Sequence, residues 1–141
     1  MKNLKIAFTL ALILGLAVTL SMASGGVRII ANQSIKADSI SADELRSVFL
    51  EESDSLRDGS HVEPVLMKGG ATEAFAGTYL GKTDSALQAY YRSLVFTGKG
   101  SMPKMLGSDA EVVAYVARTK GTIGYVSDSA SADGVKTLAV R

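Results

Sequence analysis

The sequence predicts an α/β domain, a small mixed sheet flanked by helices. Three observations predict it. Runs rich in β-branched residues, Val27 to Ala31 and Thr122 to Val126, and an alternating run, Val135 to Val140, read as strands. Ser41-Ala42-Asp43-Glu44 and Ser108-Asp109-Ala110-Glu111 are capping boxes, each followed by apolar residues at helical spacing. Strand and helix signals interleave along the whole chain, which is the pattern of an α/β architecture.

The first segment differs from the rest. Lys2 and Lys5 precede an apolar run from Ile6 to Leu20, broken only by Thr9, Gly15 and Thr19, and Ser21-Met22-Ala23 follows. This is the layout of a secretory signal peptide, 1–23, cleaved after Ala23, with an uncleaved membrane anchor as the alternative. Residues 24–141 are then enough for one domain with one core. The chain has no cysteine, so a lipid-modified N-terminal cysteine and disulfides are both excluded. With Lys2 and Lys5 set aside the remaining charge is close to neutral, which points to neither nucleic acid nor an anionic membrane surface. An exported, cysteine-free, nearly neutral domain suits a bacterial periplasm.

In order, Val27 to Ala31 is expected as an interior strand, with Asn32 and Ser34 as turn formers after it. A helix begins at the Ser41 cap and buries Leu45, Val48 and Phe49, and a polar loop runs from Glu51 to Gly59. Val62 to Met67 reads as a strand with Pro64 near its beginning or on an unpaired side. Lys68-Gly69-Gly70 turns it into a helix over Ala71 to Leu80, stopped by Gly81. Asp84 or Ser85 caps the next helix, whose apolar face is Leu87, Tyr90, Tyr91, Leu94 and Val95. Thr97 to Leu106 is a glycine-rich loop with exposed Met102 and Met105, mobile unless something covers it. A helix follows Ser108, carries Val112, Val113, Val116 and Ala117 on one side, and ends at Gly121. Gly124 in the next strand marks a place where another group packs close.

The chemistry is sparse. His61 is the only histidine, and without cysteine neither a thiolate nucleophile nor an ordinary zinc site can be assembled. His61 reads as an exposed side chain beside the Asp58-Gly59-Ser60 turn. Glu51-Glu52, Asp43-Glu44 and Asp109-Glu111 read as caps or solvated charge. No catalytic constellation and no cofactor motif is present, so an enzyme is not expected. The glycine turn is the candidate site: a helix start carries unpaired N–H groups and partial positive charge, and glycines let a ligand approach the backbone. Lys99 and Lys104 either steer an anion or are simply solvated.

Val27-Arg28-Ile29-Ile30-Ala31-Asn32, Leu45-Arg46-Ser47-Val48-Phe49-Leu50, Asp58-Gly59 with Val62-Glu63-Pro64-Val65, Gly69-Gly70-Ala71-Thr72-Glu73-Ala74-Phe75 and Gly121-Thr122-Ile123-Gly124-Tyr125-Val126 stand in a telling order. Together they resemble the phosphate-binding proteins of bacterial phosphate ABC transporters, and in particular short, single-lobe members of the type 2 periplasmic binding protein group. The resemblance spans nearly all of 24–141. It implies a fold that is one lobe of a pair that closes over an oxyanion, with phosphate or another small oxyanion as ligand and an ABC permease as partner. In that family the strand-to-helix turn reads Arg, three residues, then Ser-Gly-Thr. Here those positions hold Val65, Gly69, Gly70 and Ala71, so only the glycine is retained.

Losing the arginine and two hydroxyls removes several hydrogen bonds, each worth about 1–3 kcal/mol. A lone helix start contributes about 0.3–1 kcal/mol at an exposed site. The expectation is therefore weak oxyanion binding at Lys68, Gly69, Gly70, Ala71 and Thr72, aided by Lys99, with dimerisation or a partner lobe needed to enclose the site. The alternative is a non-catalytic envelope interaction module that docks through Thr97 to Leu106.

Overall fold

A computed structural model describes residues 26–141. The expected signal peptide lies outside the described residues, and among them no helix is long and apolar enough to cross a membrane. One six-stranded mixed sheet organises the chain. Its strands are β1 (Val27–Ala31), β2 (Ser39–Ile40), β3 (Glu63–Met67), β4 (Lys104–Leu106), β5 (Thr122–Ser127) and β6 (Lys136–Val140), in the spatial order β2-β6-β1-β5-β3-β4. β1 runs antiparallel to both neighbours, with Ile29 opposite Tyr125 and Leu138. β3 is parallel to β5 and β4, and β2 is parallel to β6. Five strands thus point one way and β1 the other. The carboxyl ends of β3, β4 and β5 consequently share one edge of the sheet.

The helices are α1 (Ala42–Phe49), α2 (Thr72–Phe75), α3 (Asp84–Phe96) and α4 (Asp109–Arg118). The α1 capping box is complete: the Ser41 hydroxyl accepts from Glu44 N–H, and Glu44 accepts from Ser41 N–H. The second box is not reciprocal. Ser108 accepts from Glu111 N–H, but the Glu111 carboxylate accepts at 2.6 Å from Gly107 N–H, one residue before the cap. α3 is capped by Thr83, whose hydroxyl accepts from Ala86 N–H, and not by Asp84 or Ser85, which lie inside the first turn. The helix expected over Ala71 to Leu80 is four α-helical residues that widen into a π-helical segment over Ala76–Leu80 before Gly81 ends it.

The core fills both sides of this sheet. Leu45, Val48 and Phe49 are buried as their spacing predicts, and so are Leu87 and Tyr91 of α3, Val112 and Val116 of α4 and the inner residues of β1, β3 and β5. Phe75 stacks on Tyr125 at 4.0 Å between ring centres, and Phe49 meets Phe75 edge-on at 4.7 Å. A side chain at Gly124 would place its Cβ 3.1 Å from Val112 and 3.6 Å from the Val65 carbonyl, so the glycine lets α4 settle on β5. Asn32 is buried because its amide donates to the Val116 and Ala117 carbonyls at the end of α4, satisfying acceptors that a helix leaves unpaired.

Three expectations about the α3 region change. Val95 is 51% exposed instead of joining the apolar face, since that face is already closed by Leu87 and Tyr91 with Tyr90 and Leu94 beside them. The segment after α3 is not all loop: β4 adds a short edge strand to β3, with Met105 opposite Leu66. Met105 packs on the core as a result, and Met102 alone of the pair is exposed.

Candidate functional site

The glycine turn stands at the carboxyl end of β3, where ligands of open α/β sheets characteristically bind. Gly69 and Gly70 both have left-handed backbone, φ 62° and 55°, which turns β3 into α2 within four residues and leaves Lys68, Gly69 and Gly70 exposed. Lys68 N–H is held by the Leu106 carbonyl across to β4. Thr72 N–H donates to Gly69 O at 3.0 Å. Among the described residues the N–H groups of Gly69, Gly70 and Ala71 have no acceptor outside regular structure, so they are the donors left at the turn.

Thr72 itself is fully buried and faces the core. Its hydroxyl donates to the Met67 carbonyl and lies 2.6 Å from the Tyr125 hydroxyl, which in turn accepts from Met67 N–H at 3.1 Å. Each hydroxyl has one proton, so the pattern closes only if Tyr125 donates to Thr72 and Thr72 to Met67. The ring fastens the end of β3 to β5 and fixes where the turn begins. Burial raises the Tyr125 pKa, against the hydrogen bonds from Met67 and Thr72 that lower it, and the phenol stays protonated as a donor. The Thr72 hydroxyl is therefore a brace for the turn, facing away from its exposed side.

Lys99 is not brought to this turn. It lies in the segment that enters β4, whereas Lys68 sits at the exit of the parallel β3, so the two are at opposite ends of the sheet edge. Lys99 lines a shallow cleft with Glu51, Glu52 and Asp54. Three carboxylates therefore share its cleft, alongside Ser53 and Ser101.

Acidic groups also crowd the carboxyl edge. Asp109 at the start of α4 accepts from Ser127 N–H and hydroxyl at 3.1 and 2.6 Å, and Glu111 accepts from Gly107 N–H. The positive end of α4 is thus already occupied by the chain's own carboxylates. Glu73 accepts from Asp84 N–H and adds a further negative charge just after the turn. An anion at the turn would meet Lys68 and three backbone donors; among the described residues the turn lines none of the five main clefts.

A cleft of about 340 Å³ opens at the other end of β3, between Glu51, Asp54, His61, Glu63, Lys104 and Tyr115. His61 is exposed there, 3.8 Å from both Asp54 and Glu63. Glu51 has left-handed backbone, φ 60°, and its pKa is raised by burial and then by Glu63. Sequence reasoning treated Glu51 only as loop charge, and nothing in its immediate sequence marks that conformation. Among the described residues no three His, Asp or Glu side chains are placed to hold a metal ion.

No protein-family model matches the sequence, and no curated protein does. Solved structures do match. The chain is similar to an ABC-type phosphate transport receptor from Vibrio cholerae (11% identity, TM-score 0.55, 82% of this chain and 46% of that one). It is similar to a phosphate ABC transporter substrate-binding protein with bound phosphate from Clostridium perfringens (13% identity, TM-score 0.58, 82% and 44%). It is also similar to PstS from Borrelia burgdorferi (12% identity, TM-score 0.56, 82% and 47%). The chain spans less than half the length of each. At these identities the likeness shows the fold, that of a single lobe of a type 2 periplasmic binding protein.

Proposed function

We propose that the chain is a non-catalytic, periplasmic solute-binding-like protein related to phosphate ABC transport, exported by cleavage of 1–23, with 24–141 as its binding-protein-like domain. Its ligand is phosphate or another small oxyanion, held weakly at the glycine turn. The observation that carries this reading is the turn at the carboxyl end of β3, where Gly69, Gly70 and Ala71 present N–H groups that have no acceptor among the described residues, beside the exposed Lys68. The fold likeness to phosphate-binding proteins supports it. Thr72 contributes by fixing the turn, and Lys99 at most through long-range attraction. Binding is weak because the site is open, lacks an arginine fork, and has Glu73, Asp109 and Glu111 nearby. A permease partner follows from the same relationship.

Isothermal titration of the purified domain with phosphate, sulfate and a polyphosphate tests the reading. Weak binding of at least one is the expected result. No heat from any of them up to millimolar concentration overturns it.

A further inference from the structure

We infer that the Asp133-Gly134 bond is a modification site, which isomerises spontaneously in the folded protein through a succinimide, whereas the chain's other Asp-Gly pair, Asp58-Gly59, is protected. Aspartate followed by glycine is the sequence most open to this reaction, because no Cβ shields the attacking nitrogen, and the chain contains two such pairs. In the step itself the Gly134 nitrogen bonds to Cγ of the neutral Asp133 carboxyl. The carboxyl hydroxyl leaves with the amide proton as water, closing a five-membered imide. Water then adds back. Opening at one carbonyl restores aspartate, and opening at the other leaves an isoaspartyl link, one methylene longer in the backbone. One water is lost and one regained, with no other reactant.

The two pairs share a sequence but not a structure. Attack needs a free glycine N–H, a neutral carboxyl, and freedom for the peptide between the two residues to turn toward that carboxyl. At Asp58-Gly59 all three are opposed. Gly59 N–H donates to Leu56 O at 2.9 Å and Leu56 N–H to Ser60 O at 2.9 Å, so the turn is closed from both sides. Asp58 Oδ1 accepts from Ser60 N–H at 2.8 Å, and the hydrogen bonds from Ser60 hold the carboxyl below its ordinary range, in the unreactive ionised form.

Asp133-Gly134 lies in the exposed turn that leads into β6. Gly134 has left-handed backbone, φ 78°, and its N–H has no acceptor among the described residues. One backbone hydrogen bond closes this turn, from Val135 N–H to Ala132 O at 3.4 Å, longer than the usual limit of about 3.2 Å, so the peptide rotates at small cost. Among the described residues the Asp133 carboxylate accepts only from the exposed Ser131 hydroxyl. Val135 is buried and Lys136 is anchored to Ile35 O and Asp38, so the added methylene falls on a fixed entry to β6. Neither pair belongs to the glycine turn, and the inference stands apart from oxyanion binding.

Ageing the purified protein at neutral pH in heavy-oxygen water tests it, since each passage through the imide leaves a heavy oxygen in the product. Trypsin in ordinary water then separates the pairs into peptides 58–68 and 121–136, and fragment spectra locate the label. Label should enter at Asp133 at least about fivefold faster than at Asp58, the factor equivalent to about 1 kcal/mol of protecting hydrogen bond. In guanidinium the two rates should converge, because the contrast belongs to the fold. Asp133→Glu, which cannot close the five-membered ring, should take up none at that position. No label at Asp133 in the folded protein, equal rates at the two pairs, a contrast that survives guanidinium, or label persisting in Asp133→Glu overturns the inference.

Discussion

Thr72 and Tyr125, 53 residues apart in the chain, hold their hydroxyl oxygens 2.6 Å apart in the core. Through this contact the start of the glycine turn is fastened to the central strand β5. Met67 completes the ring by giving its N–H to Tyr125 and taking the Thr72 proton on its carbonyl.

Removing the phenol oxygen leaves a buried Met67 N–H without its acceptor and Thr72 without its donor. Tyr125→Phe should therefore lower stability by about 1–3 kcal/mol in urea unfolding. Thr72→Val should cost a comparable amount, and the double variant should cost less than the sum of the two, because both remove one shared network. Strict additivity would show that the ring is not cooperative.

The two lysines named from sequence should separate in binding experiments. Lys68→Ala should weaken phosphate binding by about two- to fivefold, the scale of one exposed charge. Lys99→Ala should leave it unchanged within error, since Lys99 sits among carboxylates at the other end of the β3–β4 edge. An equal effect of both substitutions would contradict that separation.

Glu51 combines a left-handed backbone with a carboxyl whose pKa is raised by burial and by Glu63. Glu51→Gly should stabilise the fold by about 0.5–1 kcal/mol at neutral pH, since glycine adopts this conformation without steric cost. The raised pKa means that ionised Glu51 disfavours the folded state, increasingly as pH rises from the ordinary glutamate range through the folded value. Glu51→Gln should accordingly give a smaller gain, present at neutral pH and absent in acid. A destabilised Glu51→Gly in thermal melts would argue against strain at this position.

Glu44 has the opposite sign. Burial pushes its pKa up, but hydrogen bonds from Arg57 and Ser41 outweigh that and hold it below its usual 4.5. Its contribution is present above the unfolded value and is lost as pH falls through the folded one. Ser41→Ala should cost about 0.5–2 kcal/mol at neutral pH as a lost cap. Glu44→Gln should destabilise at neutral pH and show a shallower loss of stability below that range, measured by urea unfolding as a function of pH.

The elements were legible where their signals are local. The capping box at Ser41, the buried spacing of Leu45, Val48 and Phe49, and the strand at Thr122 to Val126 are each written within a few residues. The two-residue β2 is too short to show a pattern, and β4 was hidden in a glycine-rich stretch because it exists only by pairing with β3. The cap of α3 was misplaced by one or two residues among Thr83, Asp84 and Ser85, since all three carry a suitable oxygen and only the backbone decides which one turns back.

The sequence by itself determined the α/β class, the order of most elements and the glycine turn between β3 and α2, because periodicity, caps and turn residues act over short range. Tertiary structure alone decided what that turn presents. It put the Thr72 hydroxyl into the core with Tyr125, sent Lys99 to the far end of the sheet edge, and brought Asp109 and Glu111 to the carboxyl edge. It also left Val95 half in solvent, although its spacing from Leu87 and Tyr91 reads like that of its buried neighbours. Periodicity shows which residues share a face, but only the packed chain shows whether anything lies against it.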